Sequence, residues 1–515
     1  MKLNIKNIII GGAMALTLGL TSCVDDLNTT PIDPNVSQEF NEPAIFAKIY
    51  ASLARTDGDL ASLGLDDGKS GFYRVLWELN ELPTDEALNA WGDVGIPEMN
   101  FARWNSSTQF VQFMYYRLFF NITLCNHYLA QTENGEVSNE MLVKRSEVRF
   151  MRALNYFYAM DMFANVPLLT SVVNSNPDPS DRASIFSFLE NELLEIEGTM
   201  NAPRTGAYGR VDQAAAWTLL ARLYLNAEVY TGTARWADAA TWAAKVMNES
   251  GYQLADNYPE LFMADNGENP NANKEIIFGI CFDGVYTQSY AGTTYVIAST
   301  REDGMPEWGM DGQWLGNRAR HALVNLFMTN GQFNNDSRAM FYLSPSDKTP
   351  DKIETVTTFS DGYSVVKWTN VPSTGTESLP SPRLAFADTD IPFIRAAEAY
   401  LTFAEAKVRA TNNPANAEAL AAVNALRMRA NTSSLTTLDL NTLRDEWARE
   451  FYFEGRRRID LVRFGNFGGV HSYNWDWKGG EAGGTAFDSY FNIFPIPASE
   501  INANDKIEQN DGYGN

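Results

Sequence analysis

The chain has 515 residues and a formal net charge of -24 at pH 7, from 40 Lys+Arg against 64 Asp+Glu. That balance repels phosphate backbones and anionic lipid surfaces and argues against a nucleic-acid-binding protein. With only 3 His and 3 Cys, a tetrahedral zinc site, a disulfide framework and Cys/His catalysis have almost no material to be built from.

At the amino terminus, Lys2 and Lys6 precede an apolar stretch, 8–20, that is short for a bilayer span, so residues 1–22 read as a secretory signal. It ends in Leu20-Thr21-Ser22-Cys23, which looks like a bacterial lipobox, with cleavage before Cys23 and lipid on its thiol. The alternative is an ordinary signal peptide with a chance cysteine. Asp25, Asp26, Pro31 and Pro34 then suggest an extended tether. No later run reaches ~18 uninterrupted apolar residues, so lipid would be the membrane attachment. Cys125 and Cys281 have apolar neighbours and are expected to be core thiols.

Three regions carry apolar residues at three- and four-residue spacing and are expected to be helical. The first holds 43–54, 108–131 and 139–163, with Ser107 and Ser138 as N-caps. The second holds 184–200, 211–230 and 234–250, closed by Gly251. The third holds 393–410, 415–430 and 441–464. Trp217, Leu220, Ala221 and Tyr224 follow the first-helix spacing of the tetratricopeptide pattern, and Ala239 and Ala243 supply small positions for a partner helix. Ala153 with Tyr156, and Ala399 with Ala404, offer the same close packing. Between these regions, 251–390 is rich in Gly, Asp, Asn, Ser, Thr and aromatics, with strand-like runs at 275–282 and 364–368. It reads as long ordered loops, as does 470–497, and such loops are where binding is usually placed. The expected fold is mainly α: a tetratricopeptide-like helical repeat scaffold with long irregular loops and a few short strands. Residues 23–515 are expected to form a single domain, with the loop-rich insert at about 251–390.

Several blocks resemble the SusD/RagB family of nutrient-binding outer-membrane lipoproteins. Glu147-Val148-Arg149-Phe150-Met151-Arg152-Ala153 and Asn165-Val166-Pro167-Leu168 are similar to early family blocks. Gly209-Arg210-Val211, Arg395-Ala396-Ala397-Glu398-Ala399-Tyr400-Leu401, Glu454-Gly455-Arg456 and Phe494-Pro495-Ile496-Pro497 follow in the family's order. Within the family the likeness is to its starch-binding branch, carried by Gly71-Phe72-Tyr73-Arg74, Gly304-Met305-Pro306 and Asn474-Trp475-Asp476-Trp477. The resemblance implies a surface lipoprotein of the outer membrane that sits as a lid over a SusC-like TonB-dependent transporter. It implies capture of starch or a related α-glucan for import, with no chemistry and no required cofactor.

Glucan recognition needs flat apolar faces for sugar C–H groups and polar groups beside them for hydroxyls. The resemblance implies a stacking arc of Trp91, Tyr290 and Trp314, with Arg74 and Asp66 as hydrogen-bonding partners. Core packing for the rings and a surface ion pair for Arg74 and Asp66 are the competing readings. Asn89 and Val94 depart from the branch's pattern, which has a Trp and an Asn there, and Trp308 is additional. Asn89 is a candidate replacement for the missing amide. Asp265, Glu268, Asn269 and Asn271 could hold a structural calcium or form an Asx-rich turn. Glu450, Glu454, Arg456, Arg457, Arg458 and Asp460 lie at helical spacing and are expected to be surface ion pairs or structural ties rather than a catalytic cluster. His127, His321 and His471 show no ligand spacing. The alternatives are the same role for another glycan or a peptide, or a secreted glycoside hydrolase, which needs two carboxylates about 5–10 Å apart across a cleft.

Overall fold

The computed structural model describes residues 40–55, 68–134, 138–172, 176–345 and 352–514. The signal segment 1–22, Cys23 and Asp66 lie outside the described residues. Phe46–Asn515 form one compact unit; of Met1–Ile45, only 40–45, leading into the first helix, are described.

The three helical regions are present. Glu42–Ala54, Gln109–Gln131 and Asn139–Phe163 make the first; Arg182–Ile196, Gln213–Leu225 and Trp236–Glu249 the second; Ala396–Thr411, Ala417–Arg429 and Leu440–Phe451 the third. Several starts are fixed by side-chain caps: Ser138 Oγ accepts the Met141 amide at 3.1 Å, Asp181 the Ser184 amide at 2.6 Å, and Asn416 the Ala419 amide at 3.0 Å. Thr108, rather than Ser107, occupies the N-cap of Gln109–Gln131, and its hydroxyl accepts the Asn105 amide instead of a helix amide.

Consecutive helices pack on one another in the manner of helical repeats. Trp236–Glu249 lies against both Gln213–Leu225 and Ala396–Thr411, and Ala221, Ala239, Ala243, Ala399 and Ala404 are all buried. Small side chains let these axes approach, and Tyr224 and Trp217 fill the space beside them. Burying side chains of that size contributes about 1.5–3 kcal/mol each before the cost of ordering them.

Two of the expected helices are broken. The 211–230 helix stops at Asn226, whose side-chain amide donates to the Arg222 carbonyl at 2.8 Å, and resumes as Ala227–Thr231. The 441–464 helix stops after Phe451 and resumes as Arg457–Arg463. In the gap, Phe453 and Gly455 take φ of 60° and 78°, and the buried Glu81 carboxylate accepts the Gly455 and Arg456 amides at 2.6 and 2.9 Å. A carboxylate from another helix thus satisfies donors at the restart.

The 251–390 insert holds more regular structure than loops alone. Ile276–Ile280 pairs antiparallel with Ile391–Arg395, and Asn317–Ala319 lies between Ala87–Asn89 and Tyr363–Val365 in a four-stranded antiparallel sheet completed by Phe341–Leu343. Phe72–Glu81, a helix whose every residue is buried, packs against Gln109–Gln131, Arg457–Arg463 and the short helix Gly292–Ala298.

The 450–460 charges are interior, which corrects the surface part of their expected role. Arg395, with no exposed side-chain area, bonds Glu275 at 2.9 Å, Glu450 at 2.6 Å and Glu454 at 2.8 Å. Glu450 also meets Arg338 at 3.1 Å and Arg429, and Lys367 reaches Glu454 at 2.7 Å. Arg457 pairs with Asp85 at 2.7 Å, Arg458 with Asp161, and Arg456 with Asp460 at 3.1 Å. Burial opposes ionisation of Glu450, yet Arg429, Arg395 and Arg338 hold its carboxyl well below the usual range. Cys125 is buried as expected, whereas Cys281 is exposed just past the end of its strand. Among the described residues no helix is long and apolar enough to cross a membrane.

Candidate functional site

The site grows from three segments. The strand Ala87–Asn89 pairs with Asn317–Ala319 in the register Asn89 to Asn317, which sets Trp91 beside the 314–316 turn. The Ala90 amide donates to the Gly316 carbonyl at 3.0 Å, and the Trp91 indole Nε1 donates to the Leu315 carbonyl at 2.7 Å. Gly316 has φ +125°, and a Cβ there would stand 2.3 Å from Trp91 Nε1, so the turn needs glycine for both conformation and space.

Trp314 begins the same turn. Its amide donates at 2.8 Å to the Ala298 carbonyl, at the end of the short helix Gly292–Ala298. Tyr290 leads into the start of that helix. Its ring centroid is 6.1 Å from Trp314 and 4.8 Å from Phe386, inclined at 48° and 52°. Tyr290 is 52% exposed, while Trp91 and Trp314 are half-buried. The loop before Tyr290 is held by carboxylates. Asp390 accepts the Phe282 amide at 2.7 Å, Asp388 the Gly284 amide at 2.8 Å, and Asp283 the Val285 and Tyr286 amides at 2.7 and 2.9 Å. Burial pushes the Asp390 carboxyl up to about 7.

Tyr295, on the Gly292–Ala298 helix, joins the two parts. Its buried ring meets Trp91 edge-on at 6.1 Å and Trp77 at 5.5 Å. The Arg74 guanidinium lies 4.4 Å from the Tyr295 ring centre and 5.9 Å from that of Trp91. Arg74 is itself buried: Nε donates to Glu78 at 3.1 Å and Nη1 to the Gly68 carbonyl at 3.3 Å. Arg74 thus lies behind the rings, paired with Glu78, while its expected partner Asp66 lies outside the described residues. Burial pushes the Glu78 carboxyl up to about 7, against the pull of Arg74.

The structure therefore brings Tyr290 and Trp314 into contact, places Trp91 on the adjoining turn, and sets Arg74 beneath Trp91. Asn89 does not face outward. It is fully buried, donates to Asn317 Oδ1 at 2.6 Å, and accepts the Trp91 amide at 2.7 Å. Turned toward Asn317 and the Trp91 backbone, its amide positions Trp91. Val94 is 71% exposed. Phe386 and Tyr295 were not singled out by sequence. Tyr295 stands five residues after Tyr290, but nothing in the sequence marks Phe386.

Three of the four oxygen donors considered for calcium, Asp265, Asn269 and Asn271, are engaged within the protein. Asp265 accepts the Ser373 amide at 2.7 Å, Asn269 caps Pro270–Asn273, and the Asn269 and Asn271 amides both donate to Glu260. Among the described residues no group of three or more His, Cys, Asp or Glu is placed to hold a metal.

Residues 344–513 match the model of the SusD family. The chain is 42% identical to the starch-binding protein SusD of Bacteroides thetaiotaomicron, over 97% of both chains. A SusD-like protein of Bacteroides ovatus is 30% identical over 161 residues, 29% of each chain. Among solved structures, a laminarin binding SusD-like protein superposes with a TM-score of 0.70 at 21% identity, covering 93% of this chain and 100% of that one. Surface glycan-binding protein A from Bacteroides fluxus gives a TM-score of 0.71 at 20% identity, covering 92% and 99%. At those identities the superpositions speak for the fold, while the 42% identity extends over 97% of the chain; the chain belongs to the SusD family.

Proposed function

We propose that the protein is a cell-surface lipoprotein that binds starch or a related α-glucan and hands it to a SusC-like TonB-dependent transporter in the outer membrane. The observation that carries this reading is the ring group Trp91, Tyr290 and Trp314, assembled on one set of stitched loops. Sugar rings present C–H faces to aromatic faces, and a curved α-1,4 chain suits rings set at an angle rather than in one plane. The tilts of 48° and 52° around Tyr290 fit that demand. The starch-binding name of the 42% identical relative supports the choice of glycan class.

Binding rather than hydrolysis is the activity we assign. The carboxylates beside the rings, Asp283, Asp388 and Asp390, accept backbone amides and serve the loop. Calorimetric titration with maltoheptaose, followed by a reducing-end assay on the same mixture, tests both halves: saturable binding with no new reducing ends is expected. Release of reducing ends would establish a hydrolase, and absence of binding would remove the α-glucan assignment.

Lipid attachment at Cys23 rests on the Leu20-Thr21-Ser22-Cys23 sequence. Cys23→Ala should abolish lipid labelling and release the protein from the membrane fraction. The transporter partnership rests on family membership, and co-purification after mild detergent extraction is the expected result.

A further inference from the structure

Trp308 lies in the same loop as Trp314, six residues earlier, and is half-buried. Its indole Nε1 donates to the Gly312 carbonyl at 3.0 Å. Gly312 in turn lies against Trp314: a Cβ built on it would stand 3.6 Å from the Trp314 Nε1. The two indoles thus flank one residue. Trp91 is held by the same device, with its Nε1 tied to the backbone carbonyl of Leu315. An indole whose only polar hydrogen is spent on the protein has just its apolar faces and edges left for a ligand.

The backbone around Trp308 is fixed on both sides. Its carbonyl accepts the Asn370 amide at 2.8 Å, and Gly309, at φ +83°, passes so close to Asn370 that a Cβ would stand 2.1 Å from the Asn370 carbonyl oxygen. The preceding Glu307 pairs with Arg383 at 3.2 Å, and the Asp311 amide donates to the Leu384 carbonyl at 2.9 Å. Those contacts stitch the Trp308 loop to the 383–386 segment, whose Phe386 packs on Tyr290. Ring and platform are tied by these contacts, and a surface held in place before binding loses less entropy when a ligand settles on it.

We infer that Trp308 is a further stacking ring that extends the glycan surface past Trp314, so that it is met by longer α-glucans and not by short ones. This inference rests on the α-glucan reading above and deepens it.

The test is calorimetric titration of the whole mature protein with maltotriose and with maltoheptaose, for wild type, Trp308→Ala and Trp308→Phe, with a thermal melt of each variant. Wild type should bind maltoheptaose more tightly than maltotriose. Trp308→Ala should weaken maltoheptaose about 5- to 30-fold, equivalent to about 1–2 kcal/mol, and leave maltotriose within about twofold. Trp308→Phe keeps a ring, loses the bond to Gly312, and should retain most of the length advantage. Equal losses for both sugars, or an unchanged Trp308→Ala, would overturn the inference while leaving the α-glucan reading standing. Equal failure of Trp308→Phe and Trp308→Ala would also overturn it, by assigning Trp308 to loop positioning through its N–H. Failure of wild type to bind either sugar would remove the α-glucan reading, and this inference with it.

Discussion

The buried charge web around Arg395 and the ring group around Trp314 solve opposite problems. In the web, charges sit where water is absent, and each is answered by several partners: Arg395 alone meets Glu275, Glu450 and Glu454. In the ring group, apolar faces reach water, backed by polar groups that fix the loops and tie the Trp91 indole to the backbone. The web joins the third helical region to the strand Ile391–Arg395 and so sets the frame. The rings hang on loops stitched to that frame by amide–carboxylate bonds. Charge inside and aromatics outside invert the usual partition. Each inversion marks a job: holding distant segments together in one case, offering a surface in the other.

The sharpest way to break the comparison is to remove one member of each region and record which observable moves. Glu450→Ala leaves Arg395, Arg338 and Arg429 short of a shared partner, and should cost about 3–5 kcal/mol of stability, seen as a large fall in Tm. Any fraction that stays folded should bind glucan normally. Trp314→Ala should do the converse, costing about 1–3 kcal/mol of maltoheptaose affinity with a nearly unchanged Tm. A large stability loss in Trp314→Ala would put that ring in the core.

Glu78, behind the rings beside Arg74, sharpens the comparison through pH. Its carboxyl is raised from 4.5 to about 7 in the fold, so between those values the native state holds a proton that the unfolded chain releases. Stability from this group therefore falls as pH rises through that window, and the cost is fully present above it. Glu78→Gln should shrink the difference in denaturant stability between pH 5 and pH 8. An undiminished difference would assign it to the other raised carboxyls. The smallest effect is expected from Tyr290→Ala. This half-exposed ring should cost about 1 kcal/mol of affinity, the lower end for a stacking contact, with no change in Tm.

How much was legible in the sequence differs between the same two regions. Amphipathic helices with caps, such as Asn139–Phe163 behind Ser138, announce themselves through spacing. Phe72–Glu81 is amphipathic too, with Phe72, Val75, Leu76 and Leu79 on one stripe, but it is only ten residues long and its polar face, with Arg74, Glu78 and Glu81, is buried as well, which spacing does not reveal. The break at 452–456 was hidden because its cause, the Glu81 carboxylate, is more than 370 residues away in sequence. The 450–460 charges have the local spacing of a solvated helix face, and only their distant partners make them interior. In the site, Trp91, Tyr290 and Trp314 could be found because the blocks around them resemble the family's starch-binding branch. Their grouping could not, since it depends on the pairing of Asn89 with Asn317 and on the packing of Phe386. The depth of Arg74 could not be read either: its partner Glu78 is one helical turn away, a spacing that allows a pair but does not say how deeply it lies.

The arginine-rich interior has a consequence for how the molecule meets its surroundings. Arg338, Arg395, Arg457 and Arg458 are wholly interior, as is Lys367, in a chain that has only 40 basic residues to set against 64 acids. Withdrawing scarce cations in near one-to-one pairs with abundant anions leaves the outer shell more lopsided than the composition itself. The envelope is thus a selective barrier. Polyanions such as uronate-rich or sulfated polysaccharides are repelled before contact, and copies of the protein repel one another. A neutral polysaccharide feels none of this field and reaches the rings at the same rate in dilute or concentrated salt. The interior pairing that holds the scaffold together also acts, at a distance, as a charge filter on what approaches it.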